Sequence, residues 1–309
     1  VRVLYASLPS DVACAALCDA GLHLAPDDLQ VERREERWAV LLPDDRIAWF
    51  PASDEGLRRL VVERRVLRLL GDRCAFRVPR LLHESAAGFD VRARVPGICD
   101  PWGAYRRLGE DRRLAARIGR SLGAILAEQH TRVAHADVLG WLPERPSWPE
   151  PGAWIRERVP EVVADAEVIA AADEVLSAYE AVRLDADDRV LVHSDLGLHN
   201  LALDPDTADV RGVFDYDSAA WADRHHDFRY LVFDRDQDEM LDAALAVYEP
   251  AVGRRVSRRR VRLYNAVCAF SYLAYRLGVP PDAKSCGRTL AEDLGWVRHA
   301  VARARSGSD

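Results

Sequence analysis

Apolar residues in the first hundred positions largely alternate with polar ones, whereas beyond Asp100 they recur every three or four residues. That change of period predicts a small sheet followed by a larger helical body. The front part opens with a short helix, DVACAALCDA, which Ser10 or Asp11 can cap and Gly21 stops. Two strand-like runs follow, LQVERREERWAVLL and RIAWFP, and Pro43-Asp44-Asp45 between them reads as a hairpin turn. In EGLRRLVVERRVLRLLG, the residues Leu60, Val66, Leu67 and Leu70 have helical spacing, and Gly71 ends the run. RVPRLLHES and FDVRARVPG complete the expected sheet, with a boundary near Pro96-Gly97.

In the helical part, Leu114, Ile118, Leu122, Ile125 and Leu126 line one face of RRLAARIGRSLGAILAEQH. The Pro- and Trp-rich GWLPERPSWPEPGAW reads as a loop, and helical spacing resumes over residues 161–182. Strands are expected over 188–217. Two more helices follow, DEMLDAALAVYEPAV and SRRRVRLYNAVCAFSYLAYRLG, and the tail RARSGSD is expected to be disordered.

The strands carry the chemistry. RVLVHSD is expected to end a strand at Asp195, NLALD to begin one at Asn200, and VRGVFDYD to return with Asp215 and Asp217. DPDTAD between them is turn chemistry, and a turn centred there puts Asn200 opposite residue 213, about two places from Asp215. An amide oxygen and a carboxylate thus meet beside a second carboxylate, Asp195. Hard oxygen ligands without His or Cys at metal spacing suit Mg²⁺, which shares its shell with substrate phosphates. In phosphoryl transfer the recurring parts are a carboxylate that takes the hydroxyl proton and an Asn plus Asp that hold the metal. Asp195 fits the first role, Asn200 and Asp215 the second. Asp217 reads equally well as a site residue or a solvated one.

Composition narrows the class. A net charge of -7 argues against a nucleic-acid partner. The six cysteines have no CxxC pairing and read as reduced residues. The N-terminal stretch meets Asp11 too early for a signal-peptide core, and no run of about 18 apolar residues exists, so a cytoplasmic protein without a membrane partner is expected. Lys284 is the only lysine.

HSDLGLHNLALD followed by GVFDYDSAAWADRHHDF resembles the aminoglycoside phosphotransferase and choline kinase-like family, relatives of protein kinases. The resemblance implies an α+β, bilobal protein-kinase-like fold. A small antiparallel-sheet N-lobe with one inserted helix would span 1–97, and a larger, mainly helical C-lobe 98–309. It implies Asp195 as catalytic base, Asn200 and Asp215 as Mg²⁺ ligands, ATP or GTP as phosphoryl donor and a small-molecule hydroxyl as acceptor, an antibiotic hydroxyl foremost. Asp223 and Asp227 match two later aspartates expected to brace the catalytic loop, and His193 is expected to orient it. Glu63 sits like the family's ion-pairing helix glutamate, although a solvated helix position is an equal reading. Tyr272, Tyr275 and Arg276 are candidates for the acceptor site. His130, His225 and His226 read as structural, and Trp102, Trp141, Trp148 and Trp154 as loop anchors before cleft residues.

Two family features are missing. Trp49 stands where the family has a lysine, Arg46 on the same strand points to the opposite face, and the preceding hairpin has no glycine. Either an arginine such as Arg34 or Arg37 reaches the phosphates in the lysine's place, or nucleotide binding is weak. The alternative function is therefore a catalytically silent kinase-fold protein that binds a ligand or partner.

Overall fold

The computed structural model describes residues 2–232 and 238–306. Helix α1 (Ser10–Asp19) starts directly after Pro9, and neither Ser10 nor Asp11 caps it. The run expected as one strand is two, β1 (Gln30–Arg34) and β2 (Arg37–Leu42), because the chain folds back at Glu35 with φ 47°. β3 (Arg46–Pro51) pairs with β2 through the expected turn, setting Ala39 against Trp49 and Arg37 against Pro51. Helix α2 (Asp54–Arg73) begins with Ser53 accepting the Gly56 N–H. It runs through Gly71 and stops only at Cys74, whose N–H still reaches Leu70 O at 2.8 Å. β4 (Arg80–Glu84) and β5 (Asp90–Ala93) complete an antiparallel sheet of order β1-β2-β3-β5-β4.

The larger part is mainly helical. It comprises α3 (Pro101–Glu110), α4 (Arg112–Arg132), the single turn α5 (His135–Val138), α6 (Gly152–Val162) and α7 (Ala166–Glu180). α6 starts inside the Pro- and Trp-rich stretch expected as loop. Four short strands follow: β6 (Arg189–Val192), β7 (Leu201–Leu203), β8 (Val210–Val213) and β9 (Ala220–Asp223). The chain closes with α8 (Glu239–Val252), α9 (Arg258–Ala274) and α10 (Leu290–Ser306). α10 takes in residues 303–306 of the tail expected to be disordered; 307–309 lie outside the described residues. Among the described residues no helix is long and apolar enough to cross a membrane.

The strand ends differ from expectation in a way that matters for the site. β6 stops at Val192 and pairs with β9, so Asp195 lies on a loop. β7 and β8 form the expected hairpin, but Asn200 faces residue 214, not 213: its carbonyl accepts the Phe214 N–H at 3.1 Å. The ladder ends there because Asp215 is left-handed, φ 67° and ψ 59°, so neither Asp215 nor Asp217 is on a strand.

α4 packs closely against α8. Gly119 and Gly123, one turn apart on α4, face the α8 backbone, and a Cβ there would lie 2.2 Å from Met240 O or 2.3 Å from Ala244 O. Gly123→Ala must push α8 outward, so we expect a loss of about 1–3 kcal/mol by urea denaturation. An unchanged midpoint would refute this.

Candidate functional site

A cleft of about 970 Å³ opens between the sheet and the helical part. Asp195, Asn200 and Asp215 all line it, although 20 residues separate the first from the last. Asn200 sits at the end of a single 3₁₀ turn, and its Nδ2 donates to Asp195 O (2.8 Å) and Oδ2 (3.1 Å). That fixes the amide orientation and leaves its Oδ1 as the group available to a cation. Asp215 presents a side chain that is 36% exposed to the cleft. The donors are all oxygens, as a Mg²⁺ that keeps waters requires. Among the described residues no group of three or more His, Cys, Asp and Glu side chains has metal-site geometry.

The loop carrying Asp195 is held from behind. Buried Asp227 accepts the backbone N–H of His193 (3.0 Å) and of Ser194 (2.8 Å), together with Gln129 Nε2 (3.0 Å) and His130 Nε2 (3.1 Å). Burial alone would raise the Asp227 pKa, yet these bonds and the nearby imidazoles hold it below the usual carboxylate range. His193 accepts the Asp195 N–H at Nδ1 (3.2 Å) and donates from Nε2 to Phe214 O (2.9 Å), tying the loop to the Asp215 segment. Among the described residues Asp223 makes no hydrogen bond to that loop. It accepts from His225 N (3.1 Å), Tyr264 OH (2.5 Å) and Arg260 (3.3 Å), because β9 turns it toward α9. Gln129, which the sequence reading passed over, also donates to Leu191 O and accepts from Tyr216 OH.

Arg37 of β2 is buried beside Glu63 and Trp49. Its buried guanidinium bonds Glu63 (3.2 Å), Asp217 (2.7 Å) and, more distantly, Asp215 (3.4 Å). It also lies over the Trp49 ring, 4.6 Å from the centroid. Glu63 is buried and takes a second arginine, Arg92 of β5, at 2.8 Å, so it is not a solvated position. Arg34 also lines the cleft but pairs with none of these carboxylates among the described residues. It is largely exposed and pairs with Glu32 at 2.6 Å, because it leaves β1 just before the turn. Burial and Asp215 push the Asp217 carboxyl up to about 6 against the pull of Arg37 and Arg59.

On the opposite wall, Tyr272 and Trp148 line the cleft in edge-to-face contact, with centroids 4.9 Å apart. Tyr275 is 5.8 Å from Trp148 and donates its hydroxyl to Glu150. Trp148 is therefore a cleft residue, contrary to the loop-anchor reading, while Trp141 is an anchor, with Nε1 on Asp137 O. Arg276 is not among the residues lining the cleft. At the end of α9 it turns inward and donates to Arg288 O (2.8 Å), Ala283 O (2.8 Å) and Asp293 (3.3 Å), clamping the 280–288 loop.

Besides His193, the histidines His130, His225 and His226 are buried. Burial and Arg229 hold the His226 pKa down to about 3. Its native ring stays neutral, so stability is complete above about pH 6.5 and falls as the unfolded chain takes up a proton below that. At pH 5 this one group costs about 2 kcal/mol. Urea midpoints at pH 8 and pH 5 read that slope, and His226→Asn should flatten it; an equal slope in the variant refutes the assignment.

Small antiparallel sheet, helical body, and an Asp/Asn/Asp cleft between them define a kinase-like phosphotransferase architecture. The profile of the phosphotransferase enzyme family (APH) matches residues 36–264, well over half of the chain, and the chain belongs to that family. Solved structures agree in fold. The GDP complex of wild-type aminoglycoside 2'-phosphotransferase-IIIa matches with TM-score 0.70 and 17% identity, over 95% of this chain and 98% of that one. Macrolide 2'-phosphotransferase MphH from Brachybacterium faecium matches with TM-score 0.63 and 21% identity, over 97% and 99%. The streptomycin-ATP-APH(2")-IIa ternary complex gives TM-score 0.64 at 12% identity, over 88% and 95%. Among curated proteins nothing matches the sequence closely enough to count as a relative.

Proposed function

We propose that this phosphotransferase is a Mg²⁺-dependent kinase that moves the γ-phosphoryl group of ATP or GTP to a hydroxyl of a small molecule. The observation that carries the reading is the meeting of Asp195, Asn200 and Asp215 in one cleft, beneath a guanidinium ion-paired to Glu63. Residues 1–97 would form the nucleotide lobe and 98–309 the catalytic and acceptor lobe. Asp195 takes the acceptor hydroxyl proton as the oxygen attacks the γ-phosphorus. The bond to the β-phosphate oxygen breaks, and the products are a phosphate monoester, a nucleoside diphosphate and that proton. Asn200 and Asp215 would hold the Mg²⁺, which neutralises phosphate charge when bound. Arg37 would take over the phosphate contact of the absent lysine.

The acceptor wall of Trp148, Tyr272 and Tyr275 supports an acceptor with an apolar face, and its carboxylate Glu150 is already hydrogen-bonded. Macrolides therefore belong beside aminoglycosides in any substrate panel, together with hydroxylated metabolites. A silent binding protein needs none of the three convergent groups, and with Arg37 on Glu63 the missing lysine no longer argues for one. Purified protein incubated with Mg-ATP or Mg-GTP and the panel should yield one product heavier by a single phosphoryl group in mass spectra. No product with any pair, and no Mg-dependent thermal shift by either nucleotide, would favour the silent reading.

A further inference from the structure

Asp195 is not alone in its loop. His199 Nε2 lies 3.0 Å from Asp195 Oδ2, and the imidazole lines the same cleft. The carboxylate can only accept, so Nε2 carries the proton. Oδ2 is thus shared by His199 and Asn200, while Oδ1 takes no hydrogen bond from the described residues. A carboxylate pinned through one oxygen cannot rotate about its terminal bond, and its free oxygen keeps one direction.

Position 197 makes this geometry possible. A Cβ on Gly197 would lie 2.4 Å from His199 Cε1 and 2.6 Å from Nδ1, so the ring folds back onto Asp195 only because that position has no side chain. The backbone there is extended, φ -96° and ψ 173°, a conformation any residue accepts. Space for the ring, not backbone freedom, is what glycine supplies. The Tyr230 ring meets the imidazole edge-on at 5.7 Å and closes the pocket around it.

We propose that His199 is a positioning residue that locks Asp195 through Nε2–H···Oδ2 and leaves Oδ1 to receive the acceptor proton. The inference rests on Asp195 acting as the base. His199→Ala should lower kcat about 10²-fold by freeing the carboxylate, with nucleotide KM nearly unchanged. His199→Gln, whose amide N–H falls near the imidazole Nε2, should recover most of that loss. Gly197→Ala should lower kcat as much as His199→Ala, with the histidine intact, and should add little in the His199→Ala background.

The test combines these rates, measured with Mg-ATP and Mg-GTP on the best acceptor of the panel or on water, with proton NMR of ¹⁵N-histidine-labelled protein. A slowly exchanging Nε2–H signal should vanish in His199→Gln and move in Asp195→Asn. Equal losses in His199→Gln and His199→Ala, losses confined to KM, or no such signal would overturn the proposal. A wild type without turnover on any acceptor would instead sink the kinase reading, and the imidazole signal would then decide the pairing by itself.

Discussion

Asp195→Asn should abolish nearly all phosphoryl transfer, by about 10²- to 10⁴-fold in kcat, while leaving the fold and nucleotide affinity close to wild type. The asparagine keeps the size of the carboxylate and an oxygen for the Asn200 and His199 donors, so the loop has little reason to move. What it loses is the ability to take a proton. In the native chain the Asp195 pKa is below the usual carboxylate range: burial raises it, and the His199 bond with the charges of His199, Arg229 and His193 outweighs that. The carboxylate is therefore ionised throughout the neutral range. Mass-spectrometric initial rates together with a nucleotide-induced thermal shift check both halves. A variant retaining more than a tenth of the activity would remove Asp195 from the proton transfer.

Arg37→Ala should raise the nucleotide KM by about 10- to 100-fold, the worth of one charge-assisted contact, and lower stability by about 3–5 kcal/mol. The stability loss follows from taking the closest guanidinium from largely buried Asp217, which keeps only the more distant Arg59 at 3.5 Å as an ion-pair partner among the described residues, and from one side of Glu63. Arg37→Lys should recover only part of it, since an ammonium is a point charge and does not bridge two carboxylates as a guanidinium fork does. The informative variant is Arg37→Ala combined with Trp49→Lys, which returns a lysine to the strand position that the family uses. Its nucleotide KM should fall back toward wild type. An unchanged KM in a folded Arg37→Ala protein would show that the phosphates are held elsewhere, with buried Arg92 the next group to test.

This arginine was within reach of the sequence. The hairpin turn at Pro43-Asp44-Asp45 sets Ala39 against Trp49 and Arg37 against Pro51, which makes Arg37 and Trp49 diagonal neighbours on one face. Period-two alternation then aims both at α2 and Glu63. Arg34 lies beyond a turn that an unbroken polar run conceals, because Glu35 adopts a left-handed conformation without a glycine to announce it. Alternation along the strand does not place Asp217, because the ladder ends before Asp215.

Local information determined α1, α2, α4, α7, α8 and α9, the β7–β8 hairpin and the nearness of Asp195, Asn200 and Asp215, because turn chemistry and apolar period act between residues near in sequence. Only the tertiary structure decided that Arg276 turns away from the cleft to clamp a loop, that Trp148 joins its wall, and that Asp223 braces α9. It also decided that Glu63 is buried between two arginines and that His199 folds onto Asp195. These outcomes depend on burial and on which charges meet across distant segments. A buried charge takes whichever partner the packing brings within 3 Å, and spacing along the chain does not encode that choice.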